Sequence, residues 1–284
     1  MSNRYADLHI HTDKSDSTFT VEEVIRQASQ HELSAIAITD HDSVEAVEVA
    51  KELAKPLGIE VIPGVELSTE IDEEEVHILG YFVDCNNEEF LSKLSFLRNA
   101  RVERARKIIE KLNQLNINLT MDEVMGLTGS ASVGRMHIAR LLYEKHYISS
   151  INEAFWKFLG RGKHAYIKKY LMSPEDAIIL IRSLGGIPVL AHPQILNRDE
   201  MIPKMAESGL QGIEVYHTDH TPAGVNKYLK IADKHNLLVT GGSDCHGIGK
   251  GRVLMGTIKI PYELVEKMKI RRDAINRVST TDNA

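Results

Sequence analysis

From residue 5 to about residue 90, and again beyond residue 172, short β-branched or apolar runs alternate with helical patterns. This βα rhythm restricts the fold more than any other property of the chain. Ala6-Asp7-Leu8-His9-Ile10 reads as a first strand, and Thr20-Val21-Glu22-Glu23 has capping-box spacing for a helix through Ser29. Further strands are predicted at Ala35–Thr39, Ile59–Glu66 and Val76–Val83, with a helix from Ser43 to Leu57 and an acidic turn at 72–75. Ser173-Pro174 opens another helix, and strands follow at Ile187–Ala191, Gly212–Tyr216, Leu237–Gly241 and Val253–Ile258. Seven or eight strands of this kind favour a closed or nearly closed α/β barrel over an open sheet.

Between about 88 and 168 the strand signal gives way to helical periodicity in Leu91–Leu115, Met121–Leu127, Arg135–Lys145 and Ile151–Leu159. The expected organisation is a discontinuous barrel (1–90 and 168–278), an inserted helical substrate-binding subdomain (91–167) and a tail (279–284). The formal net charge of -6 argues against a generic nucleic-acid binder, but it averages over an asymmetry. Residues 98–170 carry fourteen Lys or Arg against six Asp or Glu, +8 locally, which leaves -14 for the rest. An acidic body beside a basic segment suits an anionic substrate. No run approaches the roughly 18 apolar residues of a membrane span, and the start of the chain lacks a signal-peptide core, so a cytoplasmic protein is expected. Two cysteines, Cys85 and Cys245, are too few for a disulfide framework.

Histidines and carboxylates gather where the predicted strands end: His9 and His11 with Asp16, Asp40-His41-Asp42, Glu66 with His77, His192, and Asp244 with His246. His9 and His11 are two apart, so on a strand they share one face and can grip one metal. Together these residues supply the nitrogen and oxygen ligands that borderline divalent metals prefer. Barrel enzymes place their chemistry at these strand ends. Asp40 and Asp42 flank His41 and would point away from it, which suits orientation or a turn contact better than ligation.

The order His-x-His, Asp, Thr-Asp-His, Gly-Val-Glu, His, Ala-His-Pro and Ser-Asp-x-His-Gly resembles the PHP (polymerase and histidinol phosphatase) superfamily over nearly the whole chain. The resemblance implies a distorted (β/α)7 barrel holding two or three divalent metals, with manganese expected and iron or zinc also suited to the ligand set. By that likeness His9, His11, Glu66 and Asp244 hold one metal, and Glu66 bridges to a second held by His77 and His192. Asp16, His41 and His246 complete a third. Catalysis falls to His9, His11, Glu66, Asp244 and His246, through attack of a metal-bound hydroxide on a phosphoester. Ser17 stands where many members have Gly, a difference that matters if the position needs a positive φ.

In the insertion, Ser132, Arg135 and His137 at a predicted helix start could converge on a phosphate. Arg98, Arg101 and Arg104 recur at i, i+3 spacing as a cationic stripe, and Gly160-Arg161-Gly162-Lys163-His164 forms a basic loop. His217 and His220 follow another strand and could touch substrate or give a proton to a leaving alcohol. Glu214 fits simple strand alternation. The combination resembles the subgroup that acts on nucleotide phosphates, the 3′,5′-bisphosphate phosphatases and 5′→3′ exonucleases of short RNA. The expected ligand is therefore a phosphorylated small molecule or nucleotide, or short single-stranded RNA, with no membrane involved and no protein partner inferable. The alternatives are a cyclic-phosphate phosphodiesterase, a sugar or histidinol phosphatase, and a non-catalytic PHP module, the last of which predicts missing ligands.

Overall fold

The computed structural model describes residues 4–72, 74–128, 133–168, 171–249 and 251–281. The chain divides into two compact units, Met1–Leu91 with Met172–Ala284, and Ser92–Leu171.

The first unit is a distorted α/β barrel. Its strands are β1 (Tyr5–Ile10), β2 (Ala35–Ile38), β3 (Glu60–Ile71), β4 (Glu74–Tyr81), β5 (Ile187–Leu190), β6 (Gly212–His217), β7 (Leu238–Gly242) and β8 (Ile260–Pro261). They lie in the order β7-β6-β5-β4-β3-β2-β1-β8. Pairing is parallel from β1 to β3 and from β5 to β7, whereas β4 runs antiparallel to both β3 and β5. A parallel crossover needs a dozen or more residues, and only positions 72 and 73 separate β3 from β4, so the chain must turn straight back. The ring closes just past β7, where Asp244 N donates to His9 O (2.8 Å) and His11 N to Cys245 O (3.1 Å). Asp7 clamps the same seam by accepting from Ser243 N (2.9 Å) and His9 N (3.3 Å).

Local chemistry explains the surrounding helices. Thr20 Oγ1 accepts from Glu23 N while Glu23 Oε2 accepts from Thr20 N, so the capping box starts the helix Val21–Gln30. Ser173 caps Pro174–Ser183, with Pro174 in the first turn, where its missing N–H costs nothing. Four expectations need correction. The strand expected over 59–66 runs on as β3 to Ile71, so Glu66 stands inside a strand and not at its end. Residues 253–258 form turns, Gly256 taking φ 84 and Thr257 N donating to Leu254 O, so the last strand is only Ile260–Pro261. The helix expected over 43–57 starts at Val47 and tightens to a 3₁₀ turn at Lys55–Leu57, where Pro56 sits. The terminal helix Glu263–Thr281 runs through residues 279–281 of the expected tail; 282–284 lie outside the described residues.

The second unit is helical: Glu88–Gln114, into which it begins at Ser92, then Met121–Thr128, Arg135–Glu144, Ile151–Ala154 and a π turn at Phe155–Leu159. Leu112, Val124, Ile138, Leu142, Ala154 and Leu159 are fully buried in a core of its own. An independent core is what lets an insertion fold as a unit. Among the described residues no helix is long and apolar enough to cross a membrane.

Barrel closure demands a residue without a side chain at 242, because a Cβ there would lie 2.3 Å from both His9 N and His9 Cβ. Gly242→Ala is expected to lower stability by roughly 1–3 kcal/mol. Gly126→Ala, in a helix with nothing within 4 Å of the added methyl, should be neutral or slightly stabilising. Thermal unfolding of the two variants checks this; equal midpoints would refute the seam as drawn.

Candidate metal centre

β1 delivers His9, and the extended residues after it deliver His11, on one face, while Ala6, Leu8 and Ile10 occupy the other. Both imidazoles are fully buried. His9 is oriented from behind: its Nδ1 lies 3.0 and 3.2 Å from the two oxygens of Glu214 on β6. That leaves Nε2 aimed at Glu66 Oε2 (3.3 Å) and Asp244 Oδ1 (3.5 Å). His11 Nε2 faces the same two oxygens, at 3.2 and 3.1 Å. His41, just past β2, brings Nδ1 to 3.2 Å from Glu66 Oε2.

Glu66, on β3, therefore has one oxygen facing three imidazoles. Its other oxygen, Oε1, faces His77 Nδ1 of β4 (2.8 Å) and His192 Nε2 after β5 (3.2 Å). A third group forms around Asp16, whose carboxylate lies 3.1 Å from His246 Nε2 and 3.8 Å from both His41 Nε2 and His11 Nδ1. Ligand atoms of His11, Asp16, His41 and His246 come within 4.8 Å of one another, as do those of His9, His11 and Asp244, and of His41, Glu66 and His77.

The donor set fits bound cations. His9 Nε2, His11 Nε2, His41 Nδ1 and Glu66 Oε2 are buried atoms without a hydrogen-bond partner, and they converge on one another. Buried polar atoms are almost always paired, and lone pairs turned together leave a place for positive charge. Proton affinities say the same. Burial would lower His9, but Glu214, Glu66 and Asp244 raise it well above the ordinary imidazole value. His11 is likewise lifted against burial to about 9 by Asp244 and Glu66, and His77 to about 10 by Glu66 and Glu75. Burial would raise Glu66, yet the imidazoles of His41, His77 and His9 hold it well below the carboxylate range. The cluster opens outward: side-chain exposure is 0% at His9 and His11, 19% at His77 and 38% at Asp16.

Supporting carboxylates hold the loops. Asp40 accepts from Thr12 N (2.7 Å), Thr12 Oγ1 (2.6 Å) and Ser15 Oγ (2.5 Å), fixing the turn that carries Asp16. Asp42 Oδ1 accepts from Ser68 N (3.0 Å). Ser17 is not among the residues with positive φ, so this turn does not require glycine there. His192 (φ 28) and Asp244 (φ 53) do take left-handed backbone, a conformation costing about 1–3 kcal/mol and common at functional sites. Glu214 Oε2 secures the first by accepting from His192 N (2.9 Å).

Glu214 is the residue that sequence reasoning missed. It is fully buried, orients His9 and His192, and also lies among ligand atoms of His9 and His217, but in sequence it is indistinguishable from an alternating strand position. His217 is buried, with Nε2 3.4 Å from Asp244 Oδ2 and Nδ1 accepting from Asp219 N. Both nitrogens of His220 are engaged, Nδ1 with Val215 O of β6 and Nε2 accepting from Gln194 N in the short helix Pro193–Leu196 after β5.

In the helical unit, Arg135 begins its helix, donates to Leu159 O (3.3 Å) and lies 5.6 Å from the Phe155 ring centroid. His137 Nδ1 accepts from Gly134 N (3.1 Å), forming that helix's cap. Arg98 and Arg101 lie half-buried along Glu88–Gln114, and Arg104 donates to Ile167 O (2.8 Å). Ser132 lies outside the described residues.

Comparison with known proteins identifies the family. The PHP domain model matches residues 7–173. The chain is 34% identical to the 5′-3′ exoribonuclease Rnm of Escherichia coli over 84% of each chain. It is 32% identical to the 3′,5′-nucleoside bisphosphate phosphatase of Chromobacterium violaceum, covering 86% of this chain and 88% of the relative. A crystal structure from Bifidobacterium adolescentis, described as a candidate metal-dependent phosphoesterase, superposes with TM-score 0.83 at 32% identity, covering 94% of this chain and 96% of the other. With its barrel, its His/Asp/Glu clusters and these relatives, the chain belongs to the PHP domain family and is a metal-dependent phosphoric ester hydrolase.

Proposed function

We propose that this enzyme removes a phosphate from a 3′,5′-nucleotide bisphosphate or from the 5′ end of short RNA. The observation that carries the reading is the shared Glu66 carboxylate, with imidazoles facing both of its oxygens at 2.8–3.3 Å. His9, His11, Glu66 and Asp244 would hold one cation, Glu66, His77 and His192 a second, and Asp16, His41 and His246 a third. Divalent cations in such a site lower the pKa of water toward neutrality and stabilise phosphoryl oxygens. Manganese is the metal we favour. The buried free thiols of Cys85 and Cys245 suit a reducing cytoplasm.

His9, His11, Glu66, Asp244 and His246 line the reacting end of the site in this reading, and His217 steadies Asp244 from behind. Glu214 is a positioning residue, because it fixes the His9 ring so that Nε2 faces forward. The nucleotide preference is supported by the names of the two relatives and by the basic helical segment. In this reading that segment, Arg135 above all, with Arg98, Arg101, His137 and Ser132, reads the second phosphate.

Comparing adenosine 3′,5′-bisphosphate, AMP, a cyclic phosphate, histidinol phosphate and a short 5′-phosphorylated RNA, with Mn supplied, tests the substrate. The bisphosphate and the RNA should be hydrolysed best, His9→Ala should abolish turnover, and Arg135→Ala should cut kcat/KM for the bisphosphate about tenfold while sparing AMP. Equal rates on AMP and the bisphosphate would overturn the two-phosphate reading.

Glu214→Gln keeps shape but removes the charge behind His9. Titration calorimetry with Mn should show affinity reduced roughly 10–100-fold; unchanged affinity would remove the positioning role.

Protons and cations compete for the same atoms. In the metal-free protein His11 and His77 hold protons up to about pH 9 and 10, above their ordinary 6.5. Their contribution to metal-free stability is complete below pH 6.5 and is lost as pH rises through 9–10. Mn binding at pH 7 should therefore release protons, seen as different calorimetric heats in buffers of different ionisation enthalpy. Chelated enzyme should lose thermal stability from pH 7 to 10 more steeply than loaded enzyme. Equal heats in both buffers would contradict these proton affinities.

A further inference from the structure

Resting on the nucleotide reading above, we propose that Trp156 and the loop Gly160–His164 form a stacking platform for an unpaired base of single-stranded RNA. Trp156 is the only tryptophan of the chain, and 70% of it is exposed. Its neighbours behave differently. Leu159 is fully buried, and Phe155 and Phe158 pack against the core of the helical unit. The turn thus spends its other apolar side chains inward and presents the indole to water. Its π winding is rare and recurs at functional sites.

The backbone then holds a cation against the ring. Gly160 ends the turn by donating to Phe155 O (2.8 Å), and a Cβ there would lie 2.4 Å from that oxygen, so the position excludes other residues. Lys163 N donates to Gly160 O (3.1 Å) and Ala165 N to Phe158 O (3.1 Å), folding the loop back on the turn, and Gly162 supplies the left-handed residue (φ 73). Lys163 Nζ consequently sits 6.0 Å from the Trp156 ring centroid, with Arg161 and His164 also exposed on the same loop. Lys157 is paired with Glu153, whereas the Lys163 ammonium lies over one face of the indole.

An exposed indole with an ammonium over one face, on a basic loop, suits one kind of partner well. Proteins that hold single strands combine aromatic faces for the bases with positive charge for the backbone. Protein interfaces, by contrast, deplete lysine at their centres. Between residues 98 and 170 fourteen Lys or Arg stand against six Asp or Glu, which favours a polyanion. A short RNA offers several further bases and phosphates to such a surface, whereas a mononucleotide bisphosphate has a single base.

Because Trp156 is the sole tryptophan, its fluorescence reports on this surface alone. The full-length enzyme with Mn is titrated with a 5′-phosphorylated, phosphorothioate-linked oligoadenylate of about ten nucleotides, which resists hydrolysis. We expect quenching of the emission. Trp156→Ala, a surface change expected to leave the circular dichroism spectrum intact, should raise KM for short RNA roughly tenfold with KM for adenosine 3′,5′-bisphosphate unchanged. Trp156→Phe should restore most of the RNA affinity. Lys163→Ala should reduce the salt slope of binding by about 0.7. Unquenched emission, or an unchanged RNA KM in Trp156→Ala, overturns the platform while leaving the nucleotide reading intact. Emission that changes with protein concentration alone assigns the ring to self-association instead, and also overturns it. Failure to hydrolyse either nucleotide substrate removes the underlying reading.

Discussion

Everything at the open end of this barrel is organised by one buried carboxylate. Glu66 has almost no contact with water, yet both of its oxygens face imidazole nitrogens rather than backbone donors. An isolated ion in that position would be costly to bury. The cost is offset only if positive charge lies between the carboxylate and its neighbours, as protons or as metal. The high proton affinities of His11 and His77 and the depressed one of Glu66 express the same demand from opposite sides.

That demand reaches into the backbone. His9 and Asp244 are ligand candidates, and the amide of Asp244 donates to the carbonyl of His9 to close the barrel. Closure and site assembly thus share the same residues. The approach is close enough that residue 242 can carry no side chain, and Asp244 and His192 adopt left-handed backbone at the strand ends. Strain at these positions is held by surrounding bonds, such as the one from His192 N to Glu214.

Much of this was legible in the chain. The two-residue spacing of His9 and His11 placed them on one face, and the capping signals at Thr20 and Ser173 marked helix starts that the structure retains. Other features were hidden because they depend on distant partners. Glu214 reads as an ordinary strand residue until the fold brings it to His9, 205 positions away. The strand expected at 253–258 carried apolar residues, but Gly256 in a left-handed turn interrupts it. His220 read as a residue that could touch substrate or give up a proton, but Val215 O and the amide of Gln194, 26 positions away, engage both of its nitrogens.

The sequence by itself determined which atoms could bind a metal and that most of them would stand at or just past strand ends, because residue chemistry and strand periodicity are local properties; Glu66 and His77 stand inside β3 and β4 instead. It also determined that a basic helical segment interrupts an acidic βα framework, since charge and periodicity are written position by position. Only the tertiary structure decided that Glu66 would be shared, that β4 would run against its neighbours, and that Glu214 would stand behind His9. Those outcomes are set by distances between residues far apart in the chain, and such distances exist only once the barrel has closed.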